Sequence, residues 1–130
     1  MQSSNEILKH DEIQHQLADF LWENIPGLEA LLIITREGDV IEHRTIPQYE
    51  KGYTIPWLKN FGHLISERFS IKDFHKQLGG LDMTVNIFKD KAVLVSLLKT
   101  NHILTMIIPR TANFDKLGQI LANYKRHSMG

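Results

Sequence analysis

Residues 92–108, AVLVSLLKTNHILTMII, decide the fold of this chain. The stretch holds two runs rich in Val, Ile and Leu, separated by the polar residues Lys99, Thr100, Asn101 and His102. Each run is too short for a free-standing helix and too uniformly apolar to alternate, which is typical of a strand covered on both faces. The polar break predicts a hairpin turn. The stretch therefore predicts a sheet whose middle strands are buried above and below.

Length and composition limit what the chain can be. At 130 residues with 42% hydrophobic residues, we expect one domain over residues 1–130. Fifteen Lys and Arg balance fifteen Asp and Glu, so no overall charge attracts nucleic acid, and we expect none as a partner. The absence of cysteine excludes disulfides and favours a cytoplasmic location. The first residues, MQSSNEILKHDE, lack the pattern of a signal peptide, and no apolar run approaches ~20 residues, so we expect no membrane insertion.

The remaining segments predict helices and strands in short alternation. Helical spacing predicts a first helix that Ser3 or Ser4 caps and that runs to about Asn24, a second beginning at Thr54 and Pro56, and a last one capped by Thr111 or Asn113. Apolar or alternating runs predict strands over residues 28–35, 40–46 and 81–88, in addition to the two of residues 92–108. Gly118 lies beside the apolar stripe of the last helix, where glycine costs about 1 kcal/mol against alanine. We therefore expect a close approach of that helix to the sheet.

The second predicted helix is apolar over an unusually wide arc. Its apolar residues spread over roughly 140°, wider than packing on one sheet requires; they are Trp57, Leu58, Phe61, Leu64, Ile65 and Phe69. Arg68 projects into this arc, where an unpaired buried charge is costly, so we expect a carboxylate partner or a side chain that reaches water. The helix is therefore expected to contact a second surface besides its own sheet.

No motif for catalysis, metal binding or nucleotide binding appears. In HDEIQH, His10 and His15 are five residues apart and cannot easily share a metal ion on one helix face. The glycines form neither G-x-G-x-x-G nor G-x-x-x-x-G-K, and no G-x-S-x-G surrounds Ser66, Ser70 or Ser96. We therefore expect that the protein is not an enzyme and that it binds neither a cofactor nor a metal ion.

The order of the predicted elements resembles the roadblock family, whose small domains occur in dynein light chains, in lysosomal scaffold complexes and in bacterial and archaeal regulators of Ras-like GTPases. Two stretches carry the resemblance, IPGLEALLIITREGDVIEHRT at residues 25–45 and NFDKLGQIL at residues 113–121. The first stretch resembles the apolar strand, glycine turn and return strand of the family. The second stretch resembles the start of the family's last helix. The strand over residues 28–35 is bulkier than usual in the family, and the loop over residues 47–54 is longer.

The resemblance implies an α+β, profilin-like fold. Its sheet has five antiparallel strands in the order 2-1-5-4-3, with the second helix on one face and the first and last on the other. It also implies a homodimer, or a heterodimer with a related roadblock domain, in which third strands pair edge to edge and second helices lie side by side. The dimer-interface residues expected on this basis are Trp57, Phe61, Leu64, Arg68, Met83, Val85 and Ile87.

Two functions of different classes remain open. The first is a non-enzymatic dimeric module that binds a small Ras-like GTPase and scaffolds or regulates it. We expect Lys59, His63 and Glu67 to contact that partner, unless they simply form a solvated helix face. The second is a small-molecule-sensing domain of the profilin-like or PAS-like kind, which requires a cavity between sheet and helix. The bulky predicted core, without convergent polar groups, argues against the second.

Overall fold

The computed structural model of the chain describes residues 4–66, 83–98 and 101–128. Its elements are α1 (Ser4–Asn24), β1 (Ala30–Thr35), β2 (Val40–Thr45), a 3₁₀ helix (Pro47–Tyr49), α2 (Ile55–Ser66), β3 (Met83–Ile87), β4 (Lys91–Leu97), β5 (His102–Pro109) and α3 (Phe114–Ser128). These elements follow the order expected from the sequence. The predicted interface residue Arg68 and the predicted partner contact Glu67 lie outside the described residues.

The strands form one five-stranded sheet in the order β2-β1-β5-β4-β3, and each neighbouring pair is antiparallel. β5 lies at the centre, between β1 and β4, and both β4 and β5 are buried over most of their length. This confirms the prediction that residues 92–108 supply two inner strands. His102, expected in the turn, begins β5 instead, and Asn101 turns the chain with a φ of 65°. Asn tolerates this left-handed conformation better than most residues do.

The two faces of the sheet carry separate hydrophobic cores, because successive residues of a strand point to opposite sides. The core under α1 and α3 includes Leu17, Leu21, Leu31, Ile33, Leu94, Leu104, Met106, Leu117 and Leu121. The core under α2 includes Leu32, Ile34, Leu58, Ile65, Val93, Val95, Ile103 and Ile107. The expected arrangement of one helix on one face and two on the other is therefore confirmed.

Side-chain caps define where two helices begin. The Oγ1 atom of Thr54 accepts a hydrogen bond from the backbone N–H of Trp57 at 3.3 Å, and Pro56 lies in the first turn of α2. The Oδ1 atom of Asn113 accepts a hydrogen bond from the backbone N–H of Lys116 at 3.0 Å. The cap of α3 is therefore Asn113. None of the described helices is long and apolar enough to cross a membrane.

Gly62 of α2, and not Gly118, is the helical glycine that lies tightly against the sheet. A Cβ atom on Gly118 would lie 3.8 Å from Cε of Met83, an ordinary van der Waals contact, so the reason expected for that glycine is wrong. A Cβ atom on Gly62 would lie 2.8 Å from Oγ1 of Thr105 in β5. Gly62 therefore lets α2 lie directly on the central strand, and it sets the height of the helix above the sheet.

Candidate partner-binding surfaces

One side of α2 presents apolar side chains toward β3, the last strand of the sheet on that side among the described residues. Trp57 and Phe61 stack with ring centroids 6.0 Å apart, and Phe61 lies 6.0 Å from Phe88, which directly follows β3. Leu64 follows Trp57 by two helical turns and shares this side. Trp57, Leu64 and Phe88 are 44%, 56% and 52% exposed. The structure thus brings the predicted interface residues Trp57, Phe61 and Leu64 together beside one edge.

The opposite side of α2 lies against the turn between β1 and β2. A Cβ atom on Gly38 in this turn would lie 2.8 Å from Cε of Lys59 and 3.3 Å from Nε2 of His63. Gly38 also has a φ of 99°, a conformation that favours glycine. The short distances show that the turn fits closely against both side chains. Lys59 and His63 are half-buried there. Lys59 and His63 therefore lie side by side. Their packed surroundings differ from a simple solvated helix face, and a contact with a partner stays a prediction.

The predicted interface residues of β3 lie on the face of the sheet that is turned away from α2. Met83 and Val85 pack, partly buried, against the core under α1 and α3. The strand register explains this, because Val85 pairs with Leu94 of that core. Ile87 lies on the same face near the end of the strand and is 56% exposed. The predicted interface side chains of α2 and of β3 therefore lie on opposite faces of the sheet. They come together only at the sheet edge, along the backbone of β3.

The two edge strands of the sheet, as the described residues form it, differ in how they are protected. β2 carries Glu42 and Arg44, which pair with His15 and Asp19 of α1; His15 Nδ1 lies 2.7 Å from Glu42 Oε1. The pairing of β2 with β1 also contains a register irregularity. Charges and bulges of this kind discourage pairing with a further strand. β3, with the sequence MTVNI, has no charge and pairs with β4 in regular register. β3 is therefore the edge that can accept another strand.

A row of aromatic rings runs from the 3₁₀ helix across the start of α2 to the end of β3. Neighbouring centroids are 5.2 Å apart for Tyr49 and Tyr53, and 5.8 Å apart for Tyr53 and Trp57. The row continues through Phe61 to Phe88 at 6.0 Å per step. These spacings lie in the range of favourable aromatic pairs. Sequence reasoning did not predict this row, although four of its rings recur every four residues between Tyr49 and Phe61; only Phe88 is brought in by the fold.

A buried carboxylate and a lysine lie next to this aromatic row. Glu29, just before β1, is 6% exposed, and its Oε1 accepts a hydrogen bond from Nζ of Lys91 at 2.8 Å. The same ammonium group lies 5.5 Å from the ring centroid of Tyr49. The hydrogen bond to Glu29 raises the pKa of Lys91, and burial, with a contribution from the charge of Glu29, raises the pKa of Tyr53. Glu29 Oε2 is buried without a hydrogen-bond partner. The ammonium of Lys91 is therefore held by Glu29.

Within the part of the chain that the structure describes, no group of three or more His, Cys, Asp or Glu side chains is arranged to hold a metal ion. The features found at the surface are an uncharged edge strand, exposed apolar side chains and the packed pair of Lys59 and His63. Side chains of these kinds form contacts with other proteins.

A five-stranded antiparallel sheet in the order β2-β1-β5-β4-β3, with α2 on one face and α1 and α3 on the other, is the roadblock fold. The chain is similar to the crystal structure of a Roadblock/LC7 domain from Streptomyces avermitilis, with a TM-score of 0.58 and 15% identity, covering 85% of this chain and 88% of that chain. It is also similar to the gliding protein MglB from Thermus thermophilus, with a TM-score of 0.63 and 14% identity. That match covers 95% of this chain and 87% of that chain.

A further similar structure is described as MglB with a tetrameric arrangement; its TM-score is 0.64 and its identity 15%, and the match covers 95% of this chain and 87% of that chain. At sequence identities of 14–15%, the structural similarity shows the fold alone. The comparisons with family models and with curated proteins find no match. The structural comparisons therefore confirm the roadblock-like architecture that the order of the elements predicts.

Proposed function

We propose that the chain forms a dimer through β3 and the adjacent side of α2, and that this dimer is a non-enzymatic module that binds a small Ras-like GTPase and scaffolds or regulates it. The observation that carries the proposal is the uncharged edge of β3 beside the exposed side chains of Trp57, Leu64 and Phe88. An unprotected edge strand next to exposed apolar surface is stabilised when a partner covers both.

A second copy of the chain fits this surface. Two copies related by a two-fold axis can pair β3 with β3 in antiparallel orientation and set their α2 helices side by side. This pairing satisfies backbone donors and acceptors along the edge and covers Trp57 and Leu64. The tetrameric arrangement described for MglB supports self-association in this fold.

Such a dimer leaves the other side of α2 available for a different partner. Lys59 and His63 lie there against the turn that contains Gly38, away from the side that carries Trp57 and Leu64. The resemblance to roadblock domains, which include regulators of Ras-like GTPases, supports a GTPase as that partner. Glu67, also predicted to contact it, stays a prediction. No arginine of this chain is assigned as a catalytic finger, so an effect on GTP hydrolysis would come from ordering residues of the GTPase.

Affinity purification of the tagged chain from its source cell tests this function. Wild-type protein is expected to recover a Ras-like GTPase, identified by mass spectrometry. A double variant, Lys59→Glu with His63→Glu, should stay dimeric and recover at least about tenfold less, because charge reversal within a contact costs more than 1.4 kcal/mol. Lys51→Glu, at an exposed lysine outside α2, is the matched control and should recover the wild-type amount.

Two results would contradict the proposed function. One is a bound metabolite in the purified protein with no GTPase among the recovered proteins, which would favour the small-molecule-sensing domain. The other is equal recovery of the GTPase by the double variant and by the Lys51→Glu control, which would remove Lys59 and His63 from the contact.

A further inference from the structure

A cavity of about 320 Å³ lies between the end of α1 and the start of α3, on the face of the sheet opposite α2. Ile25 and Leu117, which line it, are buried members of the core under α1 and α3. Its volume lies in the range of small-molecule sites. Most of the lining is apolar and consists of Ile25, Pro26, Pro109, Ala112, Leu117 and Ile120. Neither the proposed dimer contact nor the proposed GTPase contact includes any of these residues.

The two turns that contribute Pro26 and Pro109 to the lining pack tightly against each other. Gly27 has a φ of 76°, and a Cβ atom on it would lie 2.7 Å from Cγ of Pro109, so glycine fits beside that proline and a larger residue would not. The backbone N–H of Ala112 donates a hydrogen bond to the backbone oxygen of Pro109 at 3.0 Å, which holds the turn before α3. The fold itself therefore forms the cavity, and a ligand need not rearrange the chain to enter.

Three side chains with hydrogen-bond donors lie together at the start of α3 and line the cavity, namely Thr111, Asn113 and Lys116. Oδ1 of Asn113 accepts a hydrogen bond from the backbone N–H of Lys116 at 3.0 Å, which leaves the N–H groups of its side-chain amide for another partner. Lys116 is exposed and takes part in none of the ion pairs among the described residues. Polar groups that converge on one side of an apolar cavity orient a small ligand.

The charge of the lining favours an anion. Among the described residues that line the cavity, Lys116 alone carries a charge. The carboxylates that lie next to lining residues in the sequence, Glu23 and Asp115, do not contribute to the lining. An ammonium group beside two neutral donors complements a carboxylate, and the apolar lining complements an apolar group attached to it.

The apolar part of the lining favours a hydrocarbon chain over a polypeptide. Pro26 and Pro109 have no backbone N–H, so neither can donate a hydrogen bond to the carbonyl groups of an incoming peptide. Carbonyl groups that lose water without gaining a donor are costly to bury. A hydrocarbon chain has no such groups and gains from burial against these residues.

We propose that this cavity binds a small carboxylic acid that carries one apolar chain. The chain lies between α1 and α3, and the carboxylate accepts hydrogen bonds from Thr111, Asn113 and the ammonium group of Lys116. The inference does not rest on the proposed function, because the cavity lies on the other face of the sheet from α2, which carries both proposed protein contacts.

An NMR titration of the isotope-labelled full chain with sodium octanoate tests the site. We expect saturable shifts of the backbone amide signals of Ile25 and of residues 111–117. Butyrate, which keeps the carboxylate but has a shorter chain, should bind at least about thirtyfold more weakly. Octan-1-ol, which keeps the chain but has no charge, should bind about two- to fivefold more weakly than octanoate.

Two variants with matched controls separate the charge from the apolar contact. Lys116→Gln should weaken octanoate binding by about two- to fivefold and leave octan-1-ol binding unchanged, whereas Lys51→Gln, at an exposed lysine outside the cavity, should change neither. Ile120→Glu places a carboxylate in the apolar lining and should abolish octanoate binding. Gln119→Glu makes the same change in charge at an exposed neighbour outside the lining and should bind octanoate as the wild type does.

The Leu64→Glu variant keeps this test independent of the dimer. Leu64 lies on α2, on the other face of the sheet, so octanoate should bind this variant with wild-type affinity. A failed dimer or a failed GTPase contact would therefore leave the expected result intact.

Three results would overturn the proposal. Octanoate that shifts none of the amides around the cavity, or only those around Trp57, would show that the ligand does not bind between α1 and α3. Equal binding of octanoate by Lys116→Gln and the wild type would remove the charge from recognition. Octylammonium that binds more tightly than octanoate would show that the cavity does not select an anion.

Discussion

Leu64→Glu is expected to convert the protein from a dimer into a monomer at micromolar concentration. Leu64 is 56% exposed on the side of α2 that faces β3, where the proposed two-fold axis brings it near its own copy. A carboxylate at this position would have to be desolvated next to a second carboxylate. An apolar residue at the centre of an interface contributes 2 kcal/mol or more, so dimerisation should weaken by about 30-fold or more. Sedimentation velocity over a range of concentrations measures the change.

Val40→Glu is the matched control for this prediction. Val40 is a large apolar residue that is 40% exposed, but it lies at the start of β2, on the other edge of the sheet. This variant should stay dimeric and unfold close to the wild-type temperature because its position is exposed, whereas monomeric Leu64→Glu should stay folded but lose the stabilisation that dimerisation gives the wild type. A monomeric wild type, or equal dissociation of the two variants, would contradict a dimer that forms through α2 and β3.

Gly62→Ala is expected to lower the free energy of unfolding by up to about 2 kcal/mol, which is the usual overpacking cost of about 1–3 kcal/mol less the helix propensity gained by alanine. The new Cβ atom would lie 2.8 Å from Thr105 Oγ1 and 3.6 Å from Ile103 Cγ2, so either α2 or the buried Thr105 side chain has to shift. This cost exceeds the gain of about 1 kcal/mol that alanine has over glycine in a helix. Urea denaturation of the two proteins measures the difference.

Two further variants isolate the cause of that loss. Gly118→Ala in α3 meets only Met83 Cε at 3.8 Å, so it should be neutral or stabilising by up to about 1 kcal/mol. Thr105→Ala removes the oxygen that obstructs the new methyl group, so Gly62→Ala should cost measurably less in that background. Equal costs at Gly62 and Gly118, or a fully additive double variant, would mean that close packing of α2 on β5 is not the reason for the glycine.

The strands and their order could be anticipated because their evidence is local. The two apolar runs of residues 92–108 are buried on both faces of the sheet. Each run is uniformly hydrophobic because neither face of its strand contacts water. The alternation of Met83, Val85 and Ile87 correctly indicated a strand with these residues on one face. Alternation cannot tell which helix covers that face, however, and the register with Leu94 turns them away from α2.

The contacts between elements could not be anticipated, because they join residues that are distant in the sequence. Glu29 and Lys91 form a hydrogen bond across 62 positions, and neither is part of a local pattern. Phe88 joins the aromatic row only because the sheet carries the end of β3 to the side of α2. Gly62 resembles any helical glycine until Thr105 is seen beneath it. In each case the information lies in the packing between elements, which periodicity does not report.

Hydrogen exchange of the β3 amides, compared between the wild type and Leu64→Glu, tests the central claim most directly. A dimer that continues the sheet predicts that amides of β3 not bonded to β4 exchange slowly in the wild type and rapidly in the variant, because only the dimer gives them a partner. The unpaired amides of β2 should exchange rapidly in both proteins. Equal exchange of β3 in the two proteins, or protection of β2 in the wild type alone, would contradict pairing through β3.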